Sequence, residues 1–146
     1  MKVCGVELKG NDAVICLLSL DQGLFSLPDC RSSKLSINNA NDNKQLKQFQ
    51  FTFEKLMHDY QISTVVIRQR PTKGKFAGGY VGFKLEAILQ LSEQFNVQLM
   101  AINEVKEALK SNELTIDFRD TGLKKFQQNA FDTAFAYLSV QHSNAL

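Results

Sequence analysis

Tryptophan is absent from this chain of 146 residues, whereas phenylalanine occurs 11 times, so a core of aliphatic side chains and phenyl rings is expected. A large excess of charge of either sign is also missing. Seventeen Lys and Arg against 15 Asp and Glu leave a formal net charge of +2. Composition alone therefore makes no case for a nucleic-acid partner, and only a local basic patch would make one. The three cysteines, Cys4, Cys16 and Cys30, form no CxxC pair. Their odd number and their apolar surroundings point to buried, reduced thiols in a reducing compartment, and against a disulfide framework or a metal site.

Long hydrophobic runs are lacking too. The longest, Ala13 to Leu18, is far too short to span a bilayer. Lys2, Gly5, Glu7 and Lys9 interrupt the first residues where a secretory signal would be apolar. A cytoplasmic location with no membrane partner is expected. Gly74-Lys75 has neither the spacing nor the following Ser or Thr of a phosphate-binding Walker loop. His58 and His142 have no metal partner at ligand spacing, and no Ser-His-Asp or Cys-His constellation is present.

What is present reads as one domain over residues 1–146, with 44% apolar and 22% charged residues, the balance of a soluble globular protein. Lys2 to Leu8 forms a first strand with Val3, Gly5 and Glu7 on one face and Cys4, Val6 and Leu8 on the other. The turn Lys9-Gly10-Asn11-Asp12 leads into a second strand from Ala13, a hairpin pattern. A short third strand, Leu24 to Leu27, ends at Pro28, with an extension through Leu35 and Ile37 left open. Leu46, Phe49, Phe53, Leu56, Met57 and Tyr60 mark an amphipathic helix over 44–60, capped by Asp42 or Asn43. Phe51 falls off that stripe and is a candidate oligomer contact.

Ser63 to Ile67 is a buried β-branched strand, followed by a basic, glycine-rich segment and a second helix from Tyr80. Val97 to Ile102 is a fifth strand. Asn103 would cap a short helix to Lys110, and a last helix covers about 124–140. The expected fold class is α/β: a mixed five-stranded sheet, three antiparallel strands followed by parallel ones, flanked by helices.

Five cations, Arg68, Arg70, Lys73, Lys75 and Lys84, gather around the glycine-rich segment. They suit a phosphodiester backbone, with Phe76 and Tyr80 available for base stacking. The competing reading is a solvated loop.

Three stretches carry a family resemblance. Val-Cys-Gly-Val-Glu-Leu-Lys-Gly (3–10) resembles the opening strand of the RuvC group of Holliday junction resolvases, within the ribonuclease H-like superfamily. There a hydrophobic-Gly-hydrophobic-Asp-x-Gly pattern supplies the first metal-binding acid. Val66-Ile67-Arg68-Gln69 resembles the strand end that carries the second acid. Asn129-Ala130-Phe131-Asp132-Thr133-Ala134-Phe135-Ala136 resembles the final helix, where Asp-x-x-Asp-Ala carries the remaining acids. Ile102-Asn103-Glu104-Val105-Lys106 is similar to the segment after the fifth strand. The chain is also identified as a member of a small bacterial family of unknown function.

The resemblance implies a ribonuclease H-like fold and, for an active member, Mg²⁺ or Mn²⁺ with structured DNA or RNA as partner and a homodimer as assembly. Carried over by position, Glu7 and Asp132 keep a carboxylate, while Arg68 and Asn129 replace one each. Two-metal cleavage needs several carboxylates around ions about 3.5–4 Å apart. A single ion on Glu7 and Asp132 is conceivable, with Glu86 as a third acid should its side chain reach the strand ends. The alternative is that Arg68 pairs with Glu7 and Asp132 as an ion cluster. Three functions follow as expectations: a nucleic-acid-binding domain with a depleted acidic centre, a metal-dependent nuclease, or a protein-interaction module.

Overall fold

The computed structural model describes residues 1–75, 78–112 and 116–145. Two long strands, β1 (Lys2–Lys9) and β2 (Asp12–Asp21), form the expected hairpin, with Glu7 opposite Val14. Gly10 closes the turn at a φ of +59°, a left-handed conformation that glycine adopts without steric cost. β5 (Thr64–Gln69) pairs parallel to β1, and β6 (Asn96–Ala101) pairs parallel to β5.

The sheet has six strands where the sequence pattern suggested five. β3 (Leu24–Ser26) pairs with one end of β2, at Ser19 to Asp21, and β4 (Lys34–Ser36) with the other, at Asp12 to Val14. Pro28 follows β3 and has no N–H to offer a ladder, so the chain leaves the edge of β2 and rejoins it as a separate strand. The suggested extension through Leu35 is thus a strand of its own.

Helices cover both faces. α1 (Asn43–Asp59) is capped by Asp42, whose side chain accepts from the Lys44 N–H. With α2 (Tyr80–Gln90) it packs on the face bearing Cys4, Val6, Leu8, Val65 and Ile67. α3 (Ile102–Lys110) and α4 (Gln128–Ala145) cover Val3, Val14, Cys16 and Val66 on the other. α3 starts two residues earlier than the Asn103 cap implied. Ala101 is its N-cap, and the Glu104 carboxylate accepts the Ala101 N–H. α4, by contrast, starts later than expected, because residues 125–127 form a 3-10 turn before the α-helix begins.

Gly5 sets how closely α4 approaches the sheet. A Cβ there would lie 2.1 Å from the Ala130 carbonyl oxygen and 2.9 Å from the Ala134 Cβ. Only a glycine lets the first turns of α4 rest directly on β1, and small residues at 130 and 134 complete the fit. This contact brings the start of α4 to the end of β1. No helix among the described residues is long and apolar enough to cross a membrane.

Candidate functional site

Alternation along β1 turns Glu7 toward α4, on the same face as Val3 and Gly5. Glu7 is only 6% exposed, and a carboxylate so deeply placed needs a partner. That partner is Asn129, in the first turn of α4, whose Nδ2 donates to Glu7 Oε2 at 2.7 Å. A carboxylate only accepts, so the amide must present its nitrogen, and its own oxygen faces elsewhere. Thr133 Oγ1 donates to the Asn129 carbonyl oxygen at 2.7 Å, bracing this turn of the helix.

Arg68 lies within β5, which runs two residues further than its β-branched core implied. Val6 sits beside Ile67 in the parallel pair, so Glu7 and Arg68 are the next residues along their strands. The expected ion cluster is not formed: no hydrogen bond or ion pair joins Arg68 to Glu7 or Asp132 among the described residues. The reason is geometric. Asn129 holds Glu7 Oε2, while the half-buried Arg68 guanidinium acts through space on Asp132.

Asp132 stands three residues beyond Asn129, half-buried, beside a cavity of about 540 Å³ that Phe118, Phe131 and Phe135 also line. Burial raises its pKa above the ordinary carboxylate value, and the positive charge of Arg68 opposes that rise. At the rim, Arg119 clamps Asp117 through Nε and Nη2, which holds the Asp117 carboxyl down at about 2.

Glu86 does not join this centre. It belongs to α2, on the opposite side of the sheet, where it lines a small cavity with Leu8, Arg70, Gly82 and Phe83. Burial raises its pKa as well. The sheet separates it from Glu7 and Asp132, so the idea of a third acid fails on topology.

The basic segment divides on inspection. Lys84 is committed within the chain: its Nζ donates to the Ala40 carbonyl at 2.9 Å and to Asn41 Oδ1 at 3.0 Å, and lies 5.9 Å from the Tyr80 ring centroid. Lys84 therefore departs from the expectation of a cation turned to a phosphate backbone. Arg70 Nη1 donates to the Leu8 carbonyl at 3.2 Å. Lys73 and Lys75 are exposed, and Tyr80 is 65% exposed. Phe76 lies outside the described residues.

These donors do not fit a two-metal centre. One carboxylate is engaged by an amide N–H, which would confront a cation with hydrogens rather than lone pairs. The other lies within the field of a guanidinium. No group of three or more His, Cys, Asp or Glu side chains suited to a metal occurs among the described residues. A lone Mg²⁺ or Mn²⁺ on Glu7 and Asp132 would have to sit beside the Asn129 amide, on the other Glu7 oxygen, and share the site with Arg68.

Sequence reading identified Asn129 only as a substituted position, not as the partner of Glu7. It missed a further group altogether: Phe126 in the 3-10 turn, with Lys34 Nζ at 5.4 Å and Lys124 Nζ at 5.8 Å from its ring centroid. The adjacent Lys-Lys-Phe at 124–126 was the available signal, hidden because those residues pass for the start of a helix.

The fold is that of RuvC. A Thermus thermophilus RuvC structure has a TM-score of 0.76 at 9% identity, covering 99% of this chain and 97% of that one. T. thermophilus RuvC in complex with a Holliday junction substrate has a TM-score of 0.69 at 11% identity, covering 98% and 96%. No curated protein matches the sequence. The model of a protein family of unknown function, DUF3010, matches residues 1–137, and with nearly the whole chain inside that match, the protein belongs to this family.

Proposed function

We propose that the chain recognises structured nucleic acid, with a four-way junction as the first candidate, through a centre in which Arg68 stands where a metal-binding acid would be and phosphate is held without a metal ion. The observation that carries the reading is the Glu7–Asn129 hydrogen bond. It gives the buried carboxylate a partner from within the chain, so that an external anion would compete for the neighbouring guanidinium with Asp132 alone. A RuvC structure with a Holliday junction shares the fold, which supports a junction as the ligand to try first. Arg70, Lys73, Lys75 and Tyr80 would extend the contact beyond the centre.

Metal-dependent cleavage by Glu7 and Asp132 is the rival, and the donor set speaks against it. Assembly as a homodimer belongs to the same reading: Phe51 is 62% exposed on α1 while Phe49 and Phe53 are buried. Three free cysteines support a reducing, cytoplasmic setting.

The test is the affinity of Arg68→Ala for a four-way junction across a range of salt. Loss of one charge-assisted phosphate contact should weaken binding about tenfold or more and lower the salt slope by about one unit. Undetectable binding by the wild-type protein, or an unchanged slope in the variant, would sink the proposal.

A further inference from the structure

Lys34, Val14, Glu7 and Arg68 form one row across the sheet on the side covered by α4. Lys34 is opposite Val14, Val14 is opposite Glu7, and Arg68 follows on β5. Three strand spacings separate the ends of the row, about 14 Å. The Glu7–Asn129 pair therefore has a cation on each side. On the Lys34 side, the turn leading into α4 presents Phe126.

That turn is pinned from below. Gln127 is buried, donates through Nε2 to the Ile15 carbonyl at 2.8 Å, and accepts the Lys124 N–H on Oε1 at 3.0 Å. One residue earlier, Phe126 is 42% exposed, an unusual position for a phenyl ring on so firm a base. The ammonium groups of Lys34 and Lys124 lie within cation–π range of it. Lys34 also lies 3.9 Å from Asp12 Oδ2, and Lys125 is exposed alongside.

We infer that Phe126 is a stacking platform for an unpaired nucleobase, with Lys34 and Lys124 turning to the flanking phosphates. The inference rests on the nucleic-acid reading above and adds to it the kind of element recognised: a single-stranded or unstacked nucleotide near the Arg68 phosphate. Two solvated lysines hold the ring weakly, because exposed cation–π contacts are among the weaker interactions. Base–aromatic stacking is stronger and frees both ammoniums for phosphate. The rigid turn has already met the ordering cost of the platform.

The bland alternative, a ring that shelters lysine stems, predicts no response to a base. A junction and a single-stranded oligonucleotide, each carrying 2-aminopurine at an unpaired or branch-point position, separate the two. The wild-type protein should quench the probe on binding. Phe126→Ala should remove the quench and weaken affinity about tenfold, whereas Phe126→Trp should keep both. Matching melting curves establish that the variants are folded. If the wild-type protein binds neither oligonucleotide, this inference falls together with the nucleic-acid reading. If binding persists and Phe126→Ala leaves quench and affinity unchanged, the platform alone is overturned.

Discussion

Glu7 and Asn129 meet at a point where two carboxylates would require a cation between them. An amide in place of one acid replaces that requirement with a hydrogen bond of 2.7 Å, and the folded chain becomes self-sufficient there. Asn129→Asp should therefore cost about 1–3 kcal/mol in urea denaturation, through the lost donor and like-charge repulsion. Mg²⁺ or Mn²⁺ should restore part of that loss in the variant while leaving the wild type unmoved. A variant as stable as the wild type without divalent ions would contradict this account of the pair. Asp132 gives a second handle. Its raised pKa means that the folded state binds this proton more tightly than the unfolded chain does. The penalty is thus absent below the ordinary carboxylate range and grows as pH rises through the folded-state pKa. Asp132→Asn should melt higher than wild type at neutral pH and match it near pH 3, a comparison that thermal melts at the two pH values provide. A melting difference that is constant with pH would mean that burial does not govern this acid.

At the scale of elements, the seat of α4 on β1 determines whether the centre exists at all. Gly5→Ala would force a Cβ against the Ala130 carbonyl, a backbone atom that cannot swing aside. A loss of at least about 3 kcal/mol is expected, read by chemical denaturation; a near-neutral substitution would show that the helix slides freely. Much of this layer was legible in the chain. Alternation in β1, the Phe49–Phe53–Leu56 stripe of α1 and the turn at Gly10 each carry a local period or a turn signal. Where the sequence reading failed, the cause was non-local. Pro28 interrupts an edge whose two halves pair with opposite ends of β2, which no local pattern reveals. Asn129 and Glu7 are 122 positions apart, and their contact depends on a glycine whose role appears only when the helix is in place. Arg68 looked like the natural partner of Glu7 because a charge is easier to see in a sequence than the reach of an amide. Lys84 looked free because its acceptors, Ala40 and Asn41, lie 43 to 44 residues away.

The whole molecule has two unlike faces around one sheet. One carries α1 and α2, with Glu86 and Arg70 beside the glycine-rich segment. The other carries α3 and α4, with Glu7, Asn129, Arg68 and Asp132 near the strand ends and Phe126 with its lysines alongside. With a net charge of only +2, overall attraction for nucleic acid is weak, and the proposed affinity would have to come from this local arrangement. Binding should accordingly fall steeply with salt yet need no divalent ion, which sets it apart from a metal-bridged complex. The most direct measurement is an electrophoretic assay of a labelled four-way junction incubated with the protein in EDTA, Mg²⁺ or Mn²⁺. The account predicts a retarded, intact junction in all three. Cleavage that requires the metal and disappears in Glu7→Gln would contradict it.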